Sequence, residues 1–216
     1  MLEMTISFHN VTPAPLAGVI DLKTGIWEKH CLFLQGQRYK ILAPSGKGKS
    51  TFIHYIYGLR DDYAGEVRFN DQVTKMMSAD EWAELRQAQI SIVYQDLRLF
   101  LNLTALQNLT VKSALYKDVP EEKILSMADR VQVKGLLHKK CSTLSYGERQ
   151  RVAIIRGLLQ PFSWLLLDEP FSHLDKVNVS AAAAMIDEEV ARRNAGLVVT
   201  SLGENDPFEY DREIIL

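Results

Sequence analysis

The order of apolar and polar positions in the first third of the chain predicts β-structure. Residues 4–8 and 66–69 alternate between apolar and polar side chains, and the turn residues Asn70 and Asp71 follow the second segment. We therefore expect strands over residues 4–8, 31–34, 39–42 and 66–69.

The next region changes to helical spacing. Ser78 and Glu81 form a capping box, which predicts the start of a short helix, and a strand is expected at 90–94. Residues 97–140 have mostly helical spacing, and this spacing is clearest over residues 108–115 and 121–131.

The last third predicts a parallel sheet. The apolar runs at 163–167 and 197–200 are typical of strands buried on both faces, and an alanine-rich helix at about 179–193 lies between them. A strand, a crossover helix and a parallel strand form a βαβ unit. With a final strand at 213–216, the pattern indicates an α/β fold.

The residues after the strand at 39–42 are typical of a phosphate-binding loop. Glycines let backbone N–H groups converge on an anion, and the following helix adds its positive end. Lys49 is placed to reach the outer phosphates and Ser50 to complete a magnesium shell. The candidate residues are Ala43, Pro44, Ser45, Gly46, Lys47, Gly48, Lys49, Ser50 and Thr51.

Ala43 departs from this pattern because it stands where the first glycine of the loop is expected. Only a positive φ demands glycine, so alanine is tolerated here if its φ is negative. We expect a tighter turn and an intact phosphate site.

Two acids follow the apolar run at 163–167. Asp168 and Glu169 are expected at the carboxyl end of a buried strand, where open α/β sheets present their ligand groups. Asp168 is a candidate for holding magnesium, and Glu169 for orienting or deprotonating the water that attacks a terminal phosphate. The alternative, in which the acids only cap the next turn, is less favoured because of the phosphate loop upstream.

A second capping box lies just before these acids. Ser145 and Glu148 predict a helix start, with Val152, Ile155 and Leu159 on its buried face and Pro161 as its stop. Taken alone, this segment is only a helix start.

Composition narrows the class of protein. The chain has 216 residues and a net charge of −2, which fits one globular domain and gives no basic excess for nucleic-acid binding. No apolar run is long enough for a membrane span and no signal peptide is recognised, so we expect a cytosolic chain. Cys31 and Cys141 have no metal-ligand spacing and are expected to be buried or incidental thiols.

Together these motifs resemble the nucleotide-binding subunits of ABC transporters. The matching segments are the phosphate loop at 43–50, Gln95, the helix start at 144–148, the acidic strand at 164–170 and the SHLD segment at 172–175. The resemblance covers nearly the whole chain. It implies a P-loop NTPase of ABC type over residues 1–216, with a mixed sheet core, an antiparallel β subdomain and a helical subdomain at approximately 97–160.

The resemblance also implies cofactors and partners. ATP and Mg²⁺ would bind at the phosphate loop, with Ser50, Gln95 and Asp168 reaching the metal and Glu169, Gln95 and Ser201 in catalytic roles. Ser145, Gly147 and Glu148 would contact ATP held by a second copy of the chain, in a head-to-tail dimer.

Within the family, residues 93–109 look like the branch that serves lipoprotein release, macrolide-type export and cell division, the LolD, MacB and FtsE groups. This implies a separate transmembrane subunit whose coupling helix docks in a groove lined by an apolar cluster. The cluster is Leu97, Leu99, Phe100 and Leu101. Such clusters more often belong to a core, and this alternative stays open.

Further departures concern the active site. The signature reads LSYGE, so Tyr146 adds bulk and Glu148 places a negative charge in the first helical turn, where it competes with a phosphate. Ser201 stands where the family usually has histidine, and serine is never cationic. No adenine-stacking aromatic is evident between Phe8 and Trp27, and Trp27 is better interpreted as a core residue.

The sequence therefore predicts slow ATP hydrolysis that powers a separate membrane complex, from a position at the inner face of the membrane. An ATP-gated dimerisation switch with little hydrolysis is one alternative, favoured by Ser201. A soluble iron–sulfur assembly ATPase is another.

Overall fold

The computed structural model describes residues 3–17, 25–44, 46–117, 119–201 and 207–216. In these ranges the strands are β1 (Thr5–Pro13), β2 (His30–Leu34), β3 (Arg38–Leu42), β4 (Tyr63–Phe69), β5 (Gln72–Val73), β6 (Ile90–Val93), β7 (Trp164–Asp168), β8 (Gly196–Ser201) and β9 (Arg212–Ile215). The α-helices are α1 (Lys49–Ile56), α2 (Ala79–Ala88), α3 (Ala105–Ser113), α4 (Glu121–Arg130), α5 (Tyr146–Leu159) and α6 (Lys176–Arg192).

The strands form two separate sheets. One has four strands in the order β2-β1-β4-β5, and its neighbours pair antiparallel. The other has five strands in the order β6-β7-β8-β3-β9, and its neighbours pair parallel. The predicted α/β class with an antiparallel part is confirmed, and the two kinds of pairing do not share a sheet.

The parallel sheet separates two hydrophobic cores. Alternate residues of a strand point to opposite faces, so Leu165 and Leu167 of β7 join the core formed with helices α3 to α6. Trp164 and Leu166 join the core on the other side, with α1 and the antiparallel sheet. Every residue of β7 is buried, which explains why residues 164–167 are a continuous apolar run.

Side-chain caps set the start of several helices. The predicted capping boxes of α2 and α5 are present. Helix α3 begins three residues before the predicted position 108 because Thr104 caps it and Gln107 completes a further capping box. Helix α6 begins at Lys176, not 179, because the Asp175 carboxylate accepts a hydrogen bond from the Asn178 N–H group.

Two further sequence expectations can be compared with the structure. Cys31 and Cys141 are both free and buried, as predicted. Across the described ranges, the helices include none that is long and apolar enough to cross a membrane.

Gly196 provides a test of how tightly β7 and β8 pack. A Cβ atom at this position would lie 2.4–2.7 Å from ring atoms of Trp164, which is fully buried and donates from Nε1 to the Met4 carbonyl. We expect Gly196→Ala to lower the free energy of unfolding by about 1–3 kcal/mol because the ring has no room to move. Urea unfolding measures this change.

Gly135 supplies the control for this substitution. It is exposed, its φ is not positive, and beyond its own chain neighbours no heavy atom lies within 4 Å of an added Cβ. Gly135→Ala should stay within about 0.5 kcal/mol of the wild type. Equal stability of the two variants would contradict the packing argument.

Candidate functional site

The phosphate loop joins β3 to α1. Gly46 and Gly48 have φ values of +77° and +100°, in the region that favours glycine. A Cβ atom on Gly48 would also lie 2.7 Å from Leu16. Ala43 is not among the described residues with positive φ, which confirms that alanine is compatible with the loop backbone. Ser45 lies outside the described residues.

Lys49 is buried within its own loop. Its Nζ atom donates to the Ala43 carbonyl at 2.6 Å and to the Pro44 carbonyl at 3.3 Å. It also lies 3.4 Å from the Glu169 carboxylate, and only 5% of the Lys49 side chain is exposed. The ammonium group is therefore satisfied by oxygen atoms at the point where the loop would receive a phosphate.

The acidic pair ends β7 at the carboxyl edge of the parallel sheet. Asp168 is buried opposite Thr200 of β8. The Thr200 hydroxyl donates to Asp168 Oδ1 at 2.6 Å and accepts from the Glu169 N–H at 3.2 Å. One buried hydroxyl thus holds the side chain of the first acid and the backbone of the second.

Thr200 was missed by sequence reasoning. The signal that identifies it is the register of the two apolar runs, because that register places the threonine that ends the second run beside Asp168.

Glu169 is contacted by the side chains of Lys49, Gln95 and Gln150. It has a left-handed backbone with φ of 49°, a conformation that costs energy for a residue with a side chain. Its Oε2 accepts from Gln95 Nε2 at 3.2 Å, and its backbone carbonyl accepts from Gln150 Nε2 at 3.3 Å. With Lys49 at Oε1, both carboxylate oxygens have partners.

An open cleft beside this acid contains the three predicted metal ligands. The cleft is lined by Ser50, His54, Tyr94, Gln95, Asp96, Arg98 and Asp168. A hydroxyl, an amide oxygen and a carboxylate are donors that suit Mg²⁺. Sequence reasoning did not identify His54, which lies one helical turn after Ser50. The pKa of His54 is lowered, mainly by burial.

The LSYGE segment forms the start of α5. Ser145 Oγ accepts from the Glu148 N–H at 3.3 Å, and the Glu148 carboxylate accepts from the Ser145 N–H at 2.7 Å. These hydrogen bonds lower the pKa of Glu148. Glu148 is therefore engaged with its own helix, and the described contacts include no hydrogen bond from Ser145 or Gly147 to the phosphate loop.

The structure also locates the remaining candidates. Ser201 ends β8 and pairs with Leu42, the residue before Ala43, so it lies beside the start of the phosphate loop. The segment 202–206 lies outside the described residues. Trp27 is fully buried and packs edge-on against Phe8, which confirms the interpretation as a core residue.

The apolar cluster at 97–101 divides between the core and the surface. The prediction for Leu97 was wrong, because its side chain is 4% exposed and belongs to the helical core. Leu99 packs partly against that core. Phe100 and Leu101 are 57% and 46% exposed.

Phe100 lines a groove, as predicted, but the rest of the groove was not predicted. The other lining residues include Tyr57, Tyr94, Val111, Lys112, Leu115 and Arg156.

A phosphate loop after β3, with two acids at the end of β7 in the same parallel sheet, defines a P-loop nucleotide hydrolase. The comparison with protein families specifies the family. Residues 31–172 match the family described as ABC transporter, so the chain belongs to the ABC transporter family and is an ATP hydrolase of the ABC type.

Several relatives support this assignment. The chain is 33% identical over 186 residues to the lipoprotein-releasing system ATP-binding protein LolD of Legionella pneumophila (strain Lens), with 84% of this chain and 82% of that protein covered. LolD of Buchnera aphidicola subsp. Schizaphis graminum (strain Sg) is 34% identical over 164 residues, with 74% and 72% covered. The predicted LolD-like branch is thereby confirmed.

The fold matches a solved structure of the same family. A dimeric structure of a post-hydrolysis state of the ATP-binding cassette MJ0796, bound to ADP and Pi, superposes with a TM-score of 0.77 at 25% identity. The match covers 91% of this chain and 87% of that chain.

The double role of Thr200 can be tested by substitution. Thr200→Val keeps the shape but removes the hydroxyl from Asp168 and from the Glu169 backbone. We expect the free energy of unfolding to fall by about 1–3 kcal/mol, because a buried acceptor loses its partner. ATP turnover should fall about tenfold, because the predicted magnesium ligand Asp168 loses the hydroxyl that orients it.

Thr200→Ser is the matched control, because it keeps the hydroxyl. It should retain most of the turnover. Wild-type turnover in Thr200→Val would show that the hydroxyl does not position the acids.

Proposed function

We propose that this chain binds and hydrolyses ATP to drive a separate membrane-spanning complex through ATP-dependent dimerisation. The supporting observation is the convergence of three side chains at the sheet edge. Lys49 and Gln95 both contact the carboxylate of Glu169, at 3.4 and 3.2 Å. The function of the LolD relatives, as printed in their name, is consistent with this assignment.

Each group has a role in the hydrolysis. Lys49 exchanges its carbonyl and carboxylate contacts for the outer phosphates of ATP, which frees Glu169 to orient or deprotonate the attacking water. Ser50, Gln95 and Asp168 would hold Mg²⁺, which supplies positive charge to the phosphate oxygens. Ser201 donates a hydrogen bond near the terminal phosphate.

The dimer completes the site from a second copy. Ser145 and Gly147 start helix α5 and make no described hydrogen bond to their own phosphate loop. A helix start with a small hydroxyl and a glycine is an anion site, so it binds ATP held on the other copy. A nucleotide that binds the dimer and not the monomer stabilises the dimer by mass action.

The departures from the family pattern favour slow turnover. Glu148 brings a negative charge to the helix start that receives phosphate, and Ser201 cannot be cationic. Both changes weaken stabilisation of the transferring phosphoryl group.

Ser201 also favours a second candidate function. In an ATP-gated switch, binding and dimerisation carry the signal and hydrolysis only resets it. Turnover measured with and without the membrane partner separates the two functions.

The membrane partner docks in the groove lined by Phe100, Val111, Leu115, Lys112 and Arg156. The apolar side chains of the groove fit one face of a helix from a transmembrane subunit. Burial lowers the pKa of Lys112 to about 8 and also lowers the pKa of Arg156. Cations that are partly desolvated favour an acidic side chain on the docking helix. This docking places the chain at the inner face of the membrane.

Glu169→Gln tests the catalytic assignment. The amide keeps the size of the carboxylate but cannot accept the proton from water, so turnover should be largely abolished while ATP binding and dimerisation persist. Steady-state phosphate release and size-exclusion chromatography with ATP measure the two properties. Lys49→Ala serves as the contamination control and should lose both. Wild-type turnover in Glu169→Gln would contradict the role of this acid.

The groove is tested by polar substitution of its rim. Phe100→Ser and Leu115→Ser should reduce recovery of a membrane protein that co-purifies with the tagged chain from detergent-solubilised membranes of the source organism. Met76→Ser is the control, because Met76 is 83% exposed and is not a groove residue. Basal ATP turnover should stay unchanged in all three variants. Undiminished recovery with Phe100→Ser and Leu115→Ser would exclude this surface as the docking site.

A further inference from the structure

Tyr146 joins the start of helix α5 to the segment that carries Gln95. Its hydroxyl donates a hydrogen bond to the Gln95 carbonyl across 51 positions of sequence. Burial is the main cause that raises the pKa of this hydroxyl, which stays protonated and able to donate at neutral pH. The Tyr146 side chain therefore binds the main chain of Gln95, which leaves the Gln95 side-chain amide available to Glu169.

The segment that receives this hydrogen bond has a strained backbone. Leu97 and Arg98 are consecutive residues with left-handed φ values of 61° and 45°. Such conformations persist only when the surroundings hold them in place. Helix α5 also stabilises this segment through Arg156, which donates to the carbonyls of Leu97 and Arg98, each at 2.7 Å.

The ring of Tyr146 contacts a second functional segment. It packs against the His173 ring with a centroid distance of 4.1 Å, and His173 Nδ1 lies 2.8 Å from the Ser172 hydroxyl. The neighbouring Gly147 lies so close that a Cβ atom would be 2.9 Å from the His173 carbonyl oxygen. Tyr146 therefore lies between the segment after the acidic strand and the segment that carries Gln95.

These contacts form a continuous path to the reacting groups. Tyr146 contacts the Gln95 main chain, the Gln95 side chain contacts Glu169 at 3.2 Å, and Glu169 contacts Lys49 at 3.4 Å. A shift of the α5 start moves the Gln95 carbonyl and with it the amide that holds Glu169.

We propose that Tyr146 is a positioning residue. It couples binding of the α5 start to the nucleotide on the other copy with the orientation of Gln95, and through Gln95 with the orientation of Glu169. This inference rests on the proposed hydrolysis. A glycine at this position, as in the usual family signature, has neither the hydroxyl nor the ring to make the link. The coupling is therefore a property of the tyrosine in this chain.

Tyr146→Phe removes only the hydroxyl. We expect kcat for ATP to fall about fivefold, the loss of one hydrogen bond in the active arrangement, while KM stays within about twofold. Tyr116→Phe is the matched control, because the Tyr116 hydroxyl also donates to a backbone carbonyl, that of Gln87, in a region away from the site. It should leave kcat and KM unchanged.

A double-mutant cycle tests whether Tyr146 acts through Gln95. Gln95→Ala removes the side chain but keeps the carbonyl, so adding Tyr146→Phe to Gln95→Ala should cause no further loss of kcat. Independent, multiplicative losses would overturn the proposal. So would a change in KM with no change in kcat.

Hydrogen exchange separates this proposal from the proposed function. Amides of residues 95–98 should exchange faster in Tyr146→Phe than in the wild type and in Tyr116→Phe, without any nucleotide present. A wild-type chain that does not hydrolyse ATP would contradict the proposed function, whereas the exchange rates would still report on the hydrogen bond. Unchanged exchange in Tyr146→Phe would show that the hydroxyl does not hold the segment.

Discussion

The register of the parallel strands β7, β8 and β3 fixes the whole site. Asp168 pairs with Thr200, and Ser201 pairs with Leu42, so three strands end together at one edge. A shift by one residue would turn the buried side chains of these strands to the opposite faces and separate the acids from the phosphate loop. The strict alternation between the two cores therefore holds the polar site in place.

The sequence predicted the parts of the site that depend on local chemistry. The glycines of the phosphate loop, the capping boxes and the position of Asp168 and Glu169 after an apolar run could all be recognised, because each follows from neighbouring residues. Contacts between distant segments could not. Thr200 was found only through strand register. Leu97 was predicted to line the groove but is buried, because the sequence of a loop does not show the direction in which a left-handed backbone turns an apolar side chain. The predicted subdomain limits and the roles of the site residues stay predictions.

Lys49 and Glu169 neutralise each other within the site. Lys49 is held by two carbonyls and by Glu169, so a positive charge and a negative charge that are both largely buried satisfy each other. In the proposed hydrolysis, a triphosphate would replace this ion pair with contacts between Lys49 and phosphate. The proposed general base would then be released by the same event that brings its substrate.

The capping box of α5 has a consequence for anion selectivity. Glu148 already occupies the positive end of this helix by accepting the Ser145 N–H at 2.7 Å. An incoming anion must share that end with a carboxylate, so a small, singly charged ion gains less there than at an uncapped helix. Repulsion from this carboxylate increases with the charge of the anion, so a phosphate group at the α5 start must be held by contacts outside this helix. The helix start by itself is therefore a poor site for the free anions of the cell.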